Sequence, residues 1–170
     1  MTNFFPTEDY KLPVSSNYMK FQEGDNTFRV LSSAIIGYEY WNLAGKPVRS
    51  QTGWDEVPAD IKMEKDGSYR INHFWAFVVY NYEAKKIQIL ELTQKGIMKT
   101  IQGLVNNPKW GSPSNYDITA TRSGSGLDTE YSVVPNPHSA FDESIYRQYE
   151  KMQIELEALY AGEDPFALKK

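Results

Sequence analysis

The sequence predicts a mainly β protein: a five-stranded barrel with a helix between strands three and four and an additional C-terminal helix. Three observations predict it. The stretch Arg70 to Gln94, RINHFWAFVVYNYEAKKIQILELTQ, is the densest apolar and aromatic run, and it divides at Asn81 to Lys85 into two strand-like halves. From Phe74 to Tyr82 both parities are largely apolar, the pattern of a strand covered on both faces. Helical spacing occurs in two further places, between the third and fourth strand-like segments and near the C-terminus.

In chain order, residues 1–19 hold Pro6 and Pro13 with little periodicity and read as an N-terminal arm. Gln22 to Thr27 is a turn cluster. Phe28 to Trp41 reads as one long strand, with Gly37 marking a bulge or sharp bend. Asn42 to Gly45 turns into a short extended piece, Lys46 to Arg49. Ser50 to Ser68 is a long polar loop carrying Trp54, a length that is uncommon in compact domains and often functional. The central strands run from Tyr69 to Tyr82 and from Lys86 to Leu92, joined at Glu83-Ala84-Lys85. Thr93 is placed to cap a helix to Asn106 whose apolar face is Ile97, Ile101 and Leu104. Tyr116 to Arg122 and Leu127 to Val134 form the last hairpin, turning at Ser123-Gly124-Ser125-Gly126. Asp142 to Ala161 reads as one amphipathic helix with a stripe of Ile145, Tyr149, Met152, Leu156 and Leu159. The expected division is an arm over 1–19, a sheet domain over 20–137 and a C-terminal helix with acidic tail over 138–170. Five strands with a helix between the third and fourth match the OB-fold layout, which binds oligonucleotides on its second and third strands and adjoining loops.

Composition narrows the function. The chain has 170 residues and no cysteine, so disulfides and thiolate metal sites are excluded. No apolar run is long enough to span a membrane and the N-terminus lacks a signal pattern, so a soluble protein is expected. Net charge is −4, but it is unevenly spread. Residues 20–125 carry thirteen Lys/Arg against eleven Asp/Glu, whereas 126–170 carry four against nine. A neutral-to-basic body with an acidic end suits a nucleic-acid binder, although an acidic helix is also simply a solvated face.

Catalytic constellations are poor, and no enzyme activity is expected. His73 and His138 lack ligand spacing, and His73 inside a strand reads as structural. Gly124-Ser125-Gly126 reads as a hairpin rather than a phosphate cradle. Asp55, Asp60 and Glu64 share a loop and read as solvated acids; a Mg²⁺-dependent nuclease is the weakest alternative. No cofactor or metal is expected. What is abundant is interleaved aromatic and basic material: Arg29, Tyr38, Tyr40, Trp41, Lys46, Arg49, Trp54, Arg70, Tyr80, Tyr82, Lys86 and Arg122. Such a set holds single-stranded nucleic acid, because rings stack on any base and cations track the phosphates. The Tyr38/Tyr40 and Tyr80/Tyr82 pairs each share a strand face, which suits a stacking platform or ordinary cross-strand pairing. Of strand 74–82, Trp75, Phe77 and Val79 are assigned to the core, and Tyr80 and Tyr82 to a face open to a ligand.

These residues resemble a family. NTFRVLSS (26–33), GYEYW (37–41) and KPVR (46–49) look like the first half of phage and prophage single-stranded DNA-binding proteins with an OB fold. HFWAFVVYNYEAKKIQILELTQKGI (73–97) is the most specific part, and WGSPSNYDITATRSGSGLDTEYSVVP (110–135) matches the last hairpin. The resemblance covers about residues 17–137. It implies sequence-independent binding of single-stranded DNA in phage DNA replication or recombination, in the cytoplasm of the bacterial host. It also implies an acidic C-terminal segment that recruits replication or recombination proteins. Two departures matter. The zinc of some such proteins is not implied, as there is no cysteine, and Asp164-Pro165-Phe166 is followed by four more residues, so a free Phe terminus is missing. Deleting 139–170 is expected to preserve or strengthen DNA binding if the barrel is the reader, whereas loss of binding would favour a helix-based site. The rival reading is a protein-interaction module of a replisome or virion assembly on the same barrel. Oligomeric state, self-association and DNA-versus-RNA preference stay open.

Overall fold

Among the described residues seven strands form one antiparallel sheet that stays open, in a mainly β structure with few helices. The structure is a computed structural model that describes residues 4, 5, 7 and 16–167. Most of the predicted arm and the end of the predicted tail lie outside the described residues. The strands are β1 (Gly24–Val30), β2 (Ile35–Trp41), β3 (Pro47–Ser50), β4 (Asn72–Asn81) and β5 (Lys86–Leu92), followed by β6 (Asp117–Ser123) and β7 (Glu130–Pro135). Helix α1 (Lys95–Asn106) runs between β5 and β6, and α2 (Glu143–Met152) follows β7. The hydrogen-bonded order is β3-β2-β4-β1-β6-β7, with β5 on the other edge of β4.

The closed five-stranded barrel is therefore corrected in two places. The predicted strand 28–41 is two strands, because the chain leaves the ladder at Leu31 to Ala34. The break costs β4 no hydrogen bond: the Leu31 N–H donates to the Val78 carbonyl, and the Ser32 hydroxyl accepts the Val78 N–H, each at 2.8 Å. β1 then pairs with the second half of β4 and β2 with its first half. Gly37 is not the bend. It sits in register opposite Phe74, where a Cβ would lie 2.5 Å from the Ser50 carbonyl oxygen. The second correction is closure. Among the described residues β5 and β7 do not pair. The outer edge of β5 is taken by the incoming chain: Met19 N–H donates to the Ile89 carbonyl at 2.8 Å, and Ile89 N–H to the Asn17 carbonyl at 2.9 Å. Phe21 then packs between Phe28 and Tyr131 of β7.

β4 is apolar on both faces, and each face has its own core. Phe77 and Val79 join Phe28, Val30, Leu90, Leu92, Tyr116 and Ile118, closed over by Ile97, Met98 and Ile101 of α1. Phe74, Ala76 and Val78 join Ile87 and Ile89 of β5 on the opposite face, closed over by Leu156 and Leu159. The Asn81 side chain holds the β4–β5 turn by accepting from the Glu83 N–H at 3.1 Å. Thr93 does not cap α1, whose N-cap is Gln94.

The predicted helix 142–161 is broken. α2 starts where expected, with Asp142 accepting from the Ser144 and Ile145 N–H groups, but ends at Gln153 in the left-handed region (φ 48°). A 3-10 turn, Leu156–Ala161, follows. An unbroken helix of that length would be about 30 Å long, whereas a seven-residue strand such as β5 spans roughly 23 Å. The reversal lets Ile145 and Tyr149 on one side of it, and Leu156, Leu159, Tyr160 and Phe166 on the other, all reach one sheet face. Met152, assigned to the stripe, is left exposed.

The C-terminal segment is thus a wall of the second core. Leu159→Ala is expected to cost about 2–5 kcal/mol in urea unfolding. Removing 139–170 is expected to abolish the cooperative transition. A truncated chain with the full-length urea midpoint would show that this core is dispensable.

Candidate nucleic-acid interface

The twelve residues selected from sequence separate into engaged and exposed groups. Arg29 is 1% exposed near the end of β1. Its Nε donates to Asp117 Oδ1 at 2.7 Å, its Nη1 to the Ser114 and Ser139 carbonyls at 3.1 Å, and its Nη2 to Ser139 Oγ at 2.8 Å. The Phe141 ring lies 5.5 Å from the guanidinium carbon. Every nitrogen is used, so this side chain is a strut and not a phosphate contact. Arg49 is similarly held, with Nη2 2.7 Å from Glu91 and Nε 3.4 Å from Glu39. Tyr40 is buried; its hydroxyl donates to Asp60 at 2.8 Å, and Trp54 stands edge-on to its ring at 4.8 Å. Lys86 donates to the Ser16 carbonyl, and Arg122 Nη1 to the Phe21 carbonyl. Tyr80 is half-buried, edge-on to both Tyr82 and Phe141. Tyr82 is at the rim of exposure and its hydroxyl donates to Asp117 at 2.8 Å. Burial, then that hydrogen bond, raises the Tyr82 pKa well above the usual phenol value. The face carrying Phe74, Ala76, Val78 and Tyr80 is therefore covered by the C-terminal segment, and not open to a ligand as the sequence suggested.

Tyr38, Trp41, Lys46 and Arg70 are exposed, and Trp54 is half-buried. The parity that carries Phe77 and Val79 in the first core runs out along β4 to Trp75 and His73, beyond that core. Across from these, β2 sets Ile36 opposite Trp75 and Tyr38 opposite His73. The Tyr38 and His73 rings are 5.1 Å apart. Ile36 is 51% and Tyr38 39% exposed, Ile71 and His73 are exposed, and Trp75 packs on the rim of the first core. Gly53 (φ 80°) brings the loop so close that a Cβ there would touch the Tyr38 ring at 3.4 Å. The result is an uncovered row of apolar and aromatic side chains on a twisted β2–β4 ribbon. Trp41 lies on the opposite parity, paired with Pro47 beside Lys46. Among the described residues no group of three His, Asp or Glu side chains is placed to hold a metal ion.

Over 140 residues the chain is 26% identical to the "Probable ssDNA-binding protein" of Escherichia phage T5. The similarity covers 68% of this chain and 53% of that protein, so the chain spans about half the length of its relative. No family model and no solved structure matches.

Sequence reasoning missed the ribbon face because Trp75 reads as core and His73 as structural, and no motif singles out Ile36 or Ile71. It also took Arg29 and Arg49 for phosphate contacts. The available signal was the acids: Glu39, Glu91 and Asp117 lie within strands, and an acid among apolar strand neighbours calls for a buried base. At Arg49 one guanidinium faces two carboxylates. Burial pushes the Glu39 carboxyl from an ordinary 4.5 up to about 8, reinforced by its hydrogen bond with Glu91 and by that neighbour's charge; Arg49 opposes the shift.

Two predictions follow from these charges. A carboxyl with a raised folded-state pKa stabilises the fold fully below its unfolded value and loses that contribution as pH rises through the folded one. Unfolding free energy should therefore fall between about pH 5 and pH 8, and Glu39→Gln should flatten that decline in urea titrations at stepped pH. At the other cluster, Arg29→Ala strands Asp117 and should cost about 3–5 kcal/mol. Exposed Arg70→Ala should stay within about 0.5 kcal/mol by the same measurement.

Proposed function

We propose that this chain binds single-stranded DNA, without catalysis and without sequence preference, in phage DNA replication or recombination within the bacterial cytoplasm. The similarity to the phage T5 protein over 140 residues carries the reading. The strand order supports it. β1 and β2 together act as one bent first strand, β4 and β5 as the second and third, and β6 and β7 as the fourth and fifth, an OB-type layout opened between β5 and β7. The exposed rings of Tyr38 and Trp41, with Trp54 at the loop, are the stacking groups, and Lys46 and Arg70 meet phosphates. Residues 20–137 carry the DNA contacts in this reading, on a fold completed by 138–170, whose outer face is offered to replication or recombination proteins.

A second reading, a protein-interaction module, draws on one observation: α2 leaves Tyr146 and Met152 exposed on its outer face. One titration separates the two. A labelled oligo-dT should bind at low salt and quench tryptophan fluorescence, and duplex of the same length should bind less well. With three or four phosphate contacts, log affinity against log salt should have a slope of about −2 to −3. No binding of oligo-dT at low salt sinks the DNA reading and leaves the interaction module.

A further inference from the structure

Resting on the single-stranded DNA reading, we infer that the strand runs along the exposed face of the β2–β4 ribbon and onto the outer face of α1, not across the β4–β5 face.

The β4–β5 face is occupied. Phe74, Ala76, Val78, Ile87 and Ile89 are buried beneath Leu156 and Leu159, and the Tyr160 hydroxyl donates to the Ile36 carbonyl at the far side of that face. A strand lying there would have to displace a packed core. The ribbon face has no such cover: it leaves Ile36, Tyr38 and His73 exposed, with half-buried Trp75 in register opposite Ile36.

The row leads directly to α1. Trp75 pairs with Leu92, the last residue of β5, and it packs on the cluster that contains Ile97, Met98 and Ile101. From Leu92 to Tyr116 the chain carries Lys95, Lys99 and Lys109 and no Asp or Glu, the longest acid-free stretch in the sequence. All three lysines are exposed, and among the described residues none is in an ion pair. The ribbon's own loop differs: its Lys62, Lys65 and Arg70 are outnumbered by Asp55, Glu56, Asp60, Glu64 and Asp66. Phosphates therefore meet more uncompensated positive charge at α1 than at the loop, where Arg70 is the contact.

The outer face of α1 is also unusually bare. Gly96, Lys99, Gly103 and Asn106 follow the i, i+3, i+7 spacing opposite the buried Ile97 and Ile101. A Cβ added at Gly96 or Gly103 would meet nothing within 4 Å, and neither glycine has a positive φ. Packing and backbone conformation leave both glycines unexplained, whereas close approach of a ligand backbone between the lysines accounts for them.

The test compares oligo-dT affinity and its salt dependence for the full chain and three variants, each checked for a wild-type thermal transition. Lys95→Gln/Lys99→Gln should weaken binding about ten-fold and reduce the salt slope by about 1.4, the value for two lost phosphate contacts. Tyr38→Ala should weaken it roughly five-fold or more, as for loss of one stacked base. Lys151→Gln on α2 should bind as wild type. Wild-type binding by both the lysine pair and Tyr38→Ala would overturn the path while leaving single-stranded DNA binding standing. So would a Tyr38→Ala variant that only dissociates a dimer in sedimentation. Failure of the unaltered chain to bind would sink the underlying reading, and the path with it.

Discussion

The structure depends on one constraint: β4 is apolar on both faces, and in water both must be covered. Phe77 and Val79 point one way, and Phe74, Ala76 and Val78 the other, all fully or nearly fully buried. At about 25 cal/mol per Å² of apolar surface removed from water, neither face can be left to solvent. A barrel wall needs only an inside. A strand with two insides needs a third layer, which the chain supplies from its C-terminal segment. α1 closes the first core, and α2 with the 3-10 turn closes the second. The open edge is compatible with the same demand. Asn17 to Met19 complete the ladder of β5, so the β5–β7 pair that would close a barrel is not needed to satisfy the strand.

The buried arginines hold these layers in register. Arg29 reaches Asp117 on β6, the Ser114 carbonyl in the turn before it, and Ser139 where the chain leaves β7. Phe141 covers the same guanidinium and also packs on Tyr80. One side chain in β1 thus fixes the point at which the C-terminal segment turns onto β4. Arg49 does the same at the other end, joining β3 to Glu39 of β2 and Glu91 of β5 above the Phe74 ring. Burying such groups is costly, and the gain is geometric: a shifted register would strand a charge. The excess carboxylate at Arg49 makes that lock sensitive to pH, because Glu39 keeps its proton only while the bulk allows it.

Where local patterning decided the structure, the sequence was legible. β5 runs over Lys86–Leu92 as expected, α1 ends at Asn106, and the β6–β7 hairpin turns at its Gly/Ser cluster, although a 3-10 turn at Gly126–Asp128 delays the last strand from Leu127 to Glu130. The two apolar parities of strand 74–82 do imply two covered faces, and the Tyr80 face packs on the second core instead of meeting a ligand. What was hidden depended on contacts distant in sequence. Nothing local in Leu31 to Ala34 shows that Ser32 will accept the Val78 N–H and let the strand break there. Nothing in the spacing of Ile145, Tyr149, Leu156 and Leu159 shows that a face too short for one straight helix will reverse the chain at Gln153. Arg29 and Arg49 look like surface cations until Asp117, Glu39 and Glu91 come beside them.

The exposed ribbon face admits an ordinary explanation as well as a functional one. Aromatic pairs across neighbouring strands stabilise a ribbon by themselves, and the Tyr38–His73 pair at 5.1 Å needs nothing more. Single exposed apolar residues need no explanation either. The weight falls on what surrounds the pair. Ile36 and Ile71 extend it into a row, and Trp75 carries the row to α1. There two helical glycines each give up about 1 kcal/mol relative to alanine, with no neighbour for a Cβ to strike. Uncompensated lysines flank them. Cross-strand pairing explains the centre of the surface, but not a helix weakened on its outer face beside the only end of the row that is free of acid. A ligand that is flat at its bases and negative along its backbone explains both.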